Sequence, residues 1–207
     1  MLSSEDSRIC DSFSLLHLNI RSLQCNASKL TDLLSNVNLK FSLIGISETW
    51  LNDSLSSVDI DGYRFVHKSR ENRSGGGVGL HVSSNLNFKF RCDLDFSLPN
   101  VAESLFIEIV KPDIVTGVIY RPPNQNVDEF LTMTNELLSK ISKENKVCYL
   151  MGDFNLNLMN HQCHSVTGEF SDALYSNMFF PLITPPTRIT CHLATLIDNI
   201  FRQPIFR

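Results

Sequence analysis

A chain of 207 residues with 43% hydrophobic and 19% charged side chains has the balance of an ordinary globular domain and the length for one core. It has no apolar run long enough for a membrane span, and Met1 to Asp11 are polar and acidic, the opposite of a secretory leader. The net charge of −4 argues against tight non-specific nucleic-acid binding, but not against chemistry that gathers carboxylates around a divalent cation.

In chain order, residues 1–12 read as a polar tail and 13–207 as one domain, with no repeat or long linker. Phe13–Asn19 alternates as a strand, and Ala27–Leu34 is a helix on Leu30, Leu33 and Leu34, with Asn26 placed to cap it. Phe41–Ile46 is a continuous apolar run, a buried strand, that ends in Ser47-Glu48-Thr49. Strands follow at Tyr63–His67, Val78–Val82, Leu105–Val110 and Ile114–Tyr120. Ser74–Gly77 is a glycine loop with no Lys-Ser/Thr after it, so a tight connection rather than a nucleotide loop.

Val127–Ser142 is the strongest helix, with one apolar stripe and a capping-box-like start at Asn126 and Glu129. Val147–Met151 is a buried strand leading into Gly152-Asp153-Phe154-Asn155, Glu169–Ser176 is a weak helix and Thr195–Phe201 a last strand. His161 to Gly168 has the polarity of a surface loop. Apolar strands mixed with a few helices indicate an α/β sandwich whose sheets are covered by helices.

The six cysteines (10, 25, 92, 148, 163, 191) form no CxxC pair and read as free thiols in a reducing compartment. Outside the secretory path the N-x-S sequons at Asn26, Asn52 and Asn72 carry no weight. His161, His164 and His192 with Cys163 and Cys191 match no zinc spacing. Polar residues collect where strands end: Asn19, Glu48, Tyr120, Arg121, Asp153, Asn155 and Asp198. Strand ends are where rigid α/β scaffolds place their sites. Asp153 and Asn155, two apart on an extended segment, would face the same way, with Gly152 removing bulk. His17 shares the face of Asn19, and between Leu16 and Leu18 it reads as a core residue.

Taken in order, His17-Leu18-Asn19-Ile20-Arg21-Ser22-Leu23, Ser47-Glu48-Thr49-Trp50-Leu51, Ile119-Tyr120-Arg121-Pro122-Pro123, Gly152-Asp153-Phe154-Asn155 and Leu196-Ile197-Asp198-Asn199-Ile200-Phe201 resemble the exonuclease–endonuclease–phosphatase superfamily. The forms around Glu48 and Tyr120 resemble the apurinic-type endonuclease domain of non-LTR retrotransposons in particular. The resemblance runs from about Phe13 to Phe201 and implies a DNase I-like, four-layered α/β sandwich of two mixed sheets flanked by helices.

It implies roles as well. Glu48 with Asn19 would hold Mg²⁺ or Mn²⁺, as hard oxygen ligands do. Asp153 would bind or deprotonate the attacking water, Asn155 steady the phosphate, and Tyr120 and Arg121 contact it. Thr184-Pro185-Pro186-Thr187-Arg188 resembles a threonine-bearing loop near DNA, giving Thr184 and Arg188 as substrate contacts. Asp198 would orient a catalytic histidine in a later Ser-Asp-His segment. The sequence stops at Arg207 before that segment, so the expectation is a domain lacking its final strand, with impaired activity. The partner implied is double-stranded DNA, nicked in the nucleus or cytoplasm by a domain originally fused to a reverse transcriptase. Two other readings stand beside it: a non-catalytic remnant of the fold, and a phosphatase of inositol lipids or a sphingomyelinase of the same superfamily.

Overall fold

The computed structural model describes residues 13–37, 39–52, 58–70, 75–123 and 125–204. The polar stretch 1–12, Asn72 and Ser74 lie outside the described residues. Strands β1 (Leu15–Asn19), β2 (Leu43–Ser47), β3 (Tyr63–Lys68) and β4 (Val78–Ser83) form a four-stranded sheet in the order β1-β2-β4-β3. Within it β1 and β2 are parallel and the other pairs antiparallel. Strands β5 (Phe88–Phe90), β6 (Glu103–Ile109), β7 (Ile114–Tyr120), β8 (Val147–Asp153), β9 (Phe180–Pro181) and β12 (Asp198–Gln203) form a six-stranded sheet, ordered β5-β6-β7-β8-β12-β9. Only β7 and β8 run parallel there, joined through a helix. A two-stranded ribbon, β10 (Arg188–Ile189) with β11 (Ala194–Thr195), stands apart.

The helices are α1 (Leu23–Val37), α2 (Val127–Ser142) and α3 (Ser165–Ser176). Side-chain alternation separates the layers. Strand β7 sends Ile114, Val118 and Tyr120 between the two sheets, and Val115 and Ile119 toward α2 and α3. Strand β2 sends Leu43 between the sheets while Ile44 and Ile46 meet Leu23 and Leu30 of α1. The molecule is therefore a four-layered helix–sheet–sheet–helix sandwich with three apolar clusters, one per interface. Among the described residues β1 pairs with β2 alone and is an edge strand, and no helix is long and apolar enough to cross a membrane.

Four local expectations need correction. Helix α1 is longer than Ala27–Leu34, and Asn26 lies inside it rather than capping it. The Asn26 amide donates to the carbonyls of Ile20, Arg21 and Ser22, tying down a connection in which Arg21 and Ser22 have positive φ. Helix α3 starts at Ser165 because Val166, Phe170, Ala173 and Leu174 pack on the large sheet, so half of the expected 161–168 loop is helical. The expected last strand is split: β11 ends at Thr195 and the long strand starts at Asp198. Gly152 does not make room for a ligand, because a Cβ there would run into the Ile119 carbonyl of β7.

Candidate active site

Register builds half of the site. Glu103 of β6 pairs with Tyr120 of β7, Tyr120 with Asp153 of β8, and Asp153 with Asp198 of β12. These four side chains form a row across one end of the large sheet. Each shares parity with residues of the inter-sheet cluster: Leu105, Val118, Met151 and Ile200. The small sheet supplies the rest, with Asn19 ending β1 and Glu48 following β2. Glu48 has φ 56° and Trp50 φ 54°, a backbone kink that turns the Glu48 carboxylate back toward the row.

Asn19 holds the two halves together. Its Nδ2 donates to Glu48 Oε1 at 2.7 Å and to Asp153 Oδ2 at 2.7 Å. Its own Oδ1 is buried with no hydrogen-bond partner. The second Glu48 oxygen accepts from the Trp50 indole at 3.1 Å, and the second Asp153 oxygen from the Asn155 backbone N–H at 3.0 Å. Asp198 accepts from the Thr187 hydroxyl at 3.0 Å, and the same hydroxyl accepts from the Asp198 N–H at 3.2 Å. Beneath Asp198 lies the His17 side chain, 3% exposed, its Nδ1 3.8 Å from Asp198 Oδ1 and its Nε2 3.2 Å from the Ser47 hydroxyl.

These carboxylates lie close together with little positive charge among them. Burial, then the neighbouring Asp198 and Glu48, lift the Asp153 pKa to about 7, against opposing hydrogen bonds from Asn19 and Asn155. Burial also raises Asp198, while Thr187 and Arg188 pull the other way. Burial pushes His17 down to about 3, so its ring is neutral. Burial, reinforced by Glu48 and Asp153, raises the Tyr120 phenol well above its ordinary value and keeps it a hydrogen-bond donor.

Glu48, Asn19, Tyr120, Asp153 and Asp198 are thus gathered at one rim. Asn155 is there by a different route than extended spacing: its φ is 48°, and its Nδ2 donates to the Arg121 carbonyl at 2.8 Å. Arg121 does not serve as an open phosphate donor. It is 5% exposed, with Nε and Nη2 bonded to the carbonyls of Phe154 and Asn155, so it braces the Asp153–Asn155 turn from behind. In the proline loop it is Thr187 that reaches Asp198; Thr184 is exposed and lines a separate apolar pocket with Leu158 and Tyr175. Arg188 is exposed on β10, close enough for its charge to act on Asp198.

Sequence reasoning missed a wall on the Glu48 side. Gly76 and Gly77 accept from the N–H groups of Trp50 and Thr49, at 2.8 and 3.2 Å. All three glycines at 75–77 have positive φ, and a Cβ at Gly77 would strike the Thr49 hydroxyl. Glu103 accepts from the Gly77 N–H and pairs with Arg70. The glycine run was the visible signal; what packs on it was not.

A hard cation fits this donor set. Mg²⁺ and Mn²⁺ favour carboxylate and amide oxygens, and Mg²⁺ takes one or two carboxylates and keeps its waters. Glu48 and the Asn19 amide could serve such a cation, the amide turning its oxygen to where its N–H groups now bond the carboxylates, although among the described residues no group of three or more His, Cys, Asp or Glu side chains is placed to hold a metal ion.

The chain belongs to the Endonuclease/Exonuclease/phosphatase family, whose model matches residues 16–204. Solved structures share the fold at low identity. The endonuclease domain of TRAS1, a telomere-specific non-LTR retrotransposon, matches with TM-score 0.68 at 14% identity, covering 91% of this chain and 83% of that one. An AP endonuclease from Archaeoglobus fulgidus gives 0.65 at 16%, over 92% and 86%. The human Nocturnin catalytic domain gives 0.61 at 14%, over 92% and 81%. Among curated protein sequences none matches.

Proposed function

We propose that this domain is a Mg²⁺- or Mn²⁺-dependent phosphodiesterase that nicks double-stranded DNA, as in target cleavage by non-LTR retrotransposons. The observation that carries the reading is Asn19 bridging Glu48 and Asp153, which brings two carboxylates from opposite sheets within one amide's reach. Glu48 and Asn19 would hold the cation, which when bound supplies positive charge against the phosphate and the leaving oxygen.

The chain's own groups supply the rest. Asp153, raised to about 7 in the metal-free site, is the carboxylate placed to take a proton from the attacking water. The neutral Tyr120 phenol donates to a phosphate oxygen, and the second N–H of the Asn155 amide is left for another. Asp198, set by Thr187 and next to Asp153 across the sheet, keeps the rim anionic and its neighbour basic. The ribbon β10–β11 stands beside Asp198 with Arg188, Ile189 and Leu193 exposed, a surface suited to the duplex. The retroelement assignment itself rests on the Glu48 and Tyr120 motif forms and on the fold shared with the TRAS1 endonuclease domain.

The test is conversion of supercoiled plasmid to the nicked form with Mg²⁺ or Mn²⁺, with chelator and Asp153→Ala as controls. Metal-dependent nicking lost in both controls supports the reading. Hydrolysis of a phosphoinositide headgroup or of sphingomyelin with no DNA cleavage overturns it.

A further inference from the structure

Among the described residues three arginines have little solvent exposure and differ in how their donors are spent. Arg91 engages Glu108, Asp93 and Glu144, and Arg121 engages two backbone carbonyls. Among the described residues Arg70 bonds Glu103 through Nε, while its Nη2 is buried with no hydrogen-bond partner. A buried guanidinium N–H without a partner is costly, so such a group points to a ligand oxygen that completes it. Arg70 also lies where that oxygen would be. Glu103 is next to Tyr120 in the strand register, and the Arg70 guanidinium is 5.8 Å from the centre of the Tyr120 ring. Gly76 lies against the guanidinium so closely that a Cβ would collide with it. The arginine side chain is 23% exposed and that of Glu103 14%, so the pair is set into the wall of the site.

We infer that Arg70 is a substrate-binding residue: anchored by Glu103 beside Tyr120, its guanidinium takes a phosphate oxygen of the substrate. This rests on the phosphodiesterase reading and assigns to Arg70 the cationic contact that Arg121 cannot make. Glu103 fixes the guanidinium through Nε, the unpartnered Nη2 donates to the phosphate oxygen, and Gly76, with no Cβ, leaves the guanidinium its place.

The experiment uses Trp50, the sole tryptophan, as a fluorescent reporter beside the same loop. Inorganic phosphate is titrated in Mg²⁺ buffer into wild type, Arg70→Gln and Arg70→Lys, and Mn²⁺ is titrated separately. Arg70→Gln is expected to weaken phosphate binding by about tenfold or more, the worth of one charge-assisted hydrogen bond, with Mn²⁺ affinity unchanged and the melting temperature lowered because Glu103 loses its cation. Arg70→Lys, which keeps the charge and loses the fork, recovers part of the affinity. If Arg70→Gln does not fold, Arg70→Lys alone decides: a several-fold loss supports the proposal and wild-type affinity overturns it. Wild-type phosphate affinity in a folded Arg70→Gln overturns it, as does a loss of Mn²⁺ affinity equal to the loss of phosphate affinity, which marks a brace for the loop. Absence of phosphate binding by wild type overturns it too. Arg70-dependent phosphate binding without DNA nicking leaves Arg70 in place and removes the DNA reading.

Discussion

The large sheet buries a carboxylate near each end, and the two fare in opposite ways. Glu108 on β6 is 3% exposed; burial raises its pKa, but Lys89 at 2.7 Å, Lys146 at 3.0 Å and Arg91 at 2.8 Å overcome that and bring it down to about 2. Asp153 on β8 is as well buried, has carboxylates for neighbours, and stands at about 7. One sheet thus carries a charge neutralised for stability and another left poised, and the difference lies in how strongly burial acts on each and in which charges are brought to it. A carboxylate kept basic at a strand end costs stability.

Neutralising the poised end separates function from stability most sharply. Asp153→Asn is expected to reduce metal-dependent nicking by about a thousandfold or more, in a plasmid assay. Without metal it should raise stability. The folded pKa of Asp153 lies above its unfolded value of 3.8, so the native state holds the extra proton between about pH 4 and 7 and wild type loses stability as pH rises through that window. The melting-temperature gap between variant and wild type should therefore widen from pH 4 to pH 7 and level off above. A constant gap would show that Asp153 is not the titrating group.

Breaking the neutralised end does the reverse. Glu108→Gln leaves Lys89, Lys146 and Arg91 facing no central anion and is expected to cost about 3 kcal/mol, read by urea unfolding at pH 7. Glu108 has a depressed pKa, so its contribution is full above its unfolded value of 4.5 and fades as pH falls toward 2. Nicking per folded molecule should be unchanged. A variant as stable as wild type would mean that the cluster is surface decoration.

The contrast was partly visible in the sequence. Strand alternation and the Val127–Ser142 stripe located the layers, because burial on one face leaves a period that can be read. Asn19, Glu48, Tyr120, Asp153 and Asp198 were recognisable as strand-terminal polar residues in a familiar order. What they touch was not readable. The Asn26 side chain donates where an N-cap accepts, a distinction set by tertiary position rather than residue type. Arg121 looked like a phosphate ligand, and only the fold shows its fork spent on two carbonyls. Arg70 and Glu103, 33 residues apart, had no local pattern to announce them. Long-range pairing between side chains leaves no period in one chain.

If the poised end exists to receive a cation, the cation should supply what Glu108 already has. Adding Mg²⁺ or Mn²⁺ at about a hundred times its dissociation constant should stabilise wild type by roughly 3 kcal/mol in thermal denaturation. Glu48→Gln should abolish most of that shift while leaving apo stability close to wild type. Equal metal shifts in both proteins would place the ion elsewhere.

The smallest effect tests the link between the poised end and the proline loop. Thr187→Val keeps the shape of the side chain and removes the hydroxyl that both donates to the Asp198 carboxylate and accepts from its backbone N–H. Because Thr187 is exposed and water can replace part of the loss, the cost in stability is expected to be about 1 kcal/mol. The chemical consequence is the better test. The Thr187 hydrogen bond favours ionised Asp198, against burial that raises its pKa, so removing the hydroxyl moves the pKa further up. Protonating Asp198 relieves Asp153 of a neighbouring negative charge and lowers its basicity. The acid limb of the nicking pH profile, set by Asp153, should therefore shift to lower pH in Thr187→Val, while Thr184→Val, altering an exposed residue bordering the separate apolar pocket, should leave the profile where it is. If the two variants shift alike, the loop acts as a whole and Thr187 is not the residue through which it reaches the carboxylates.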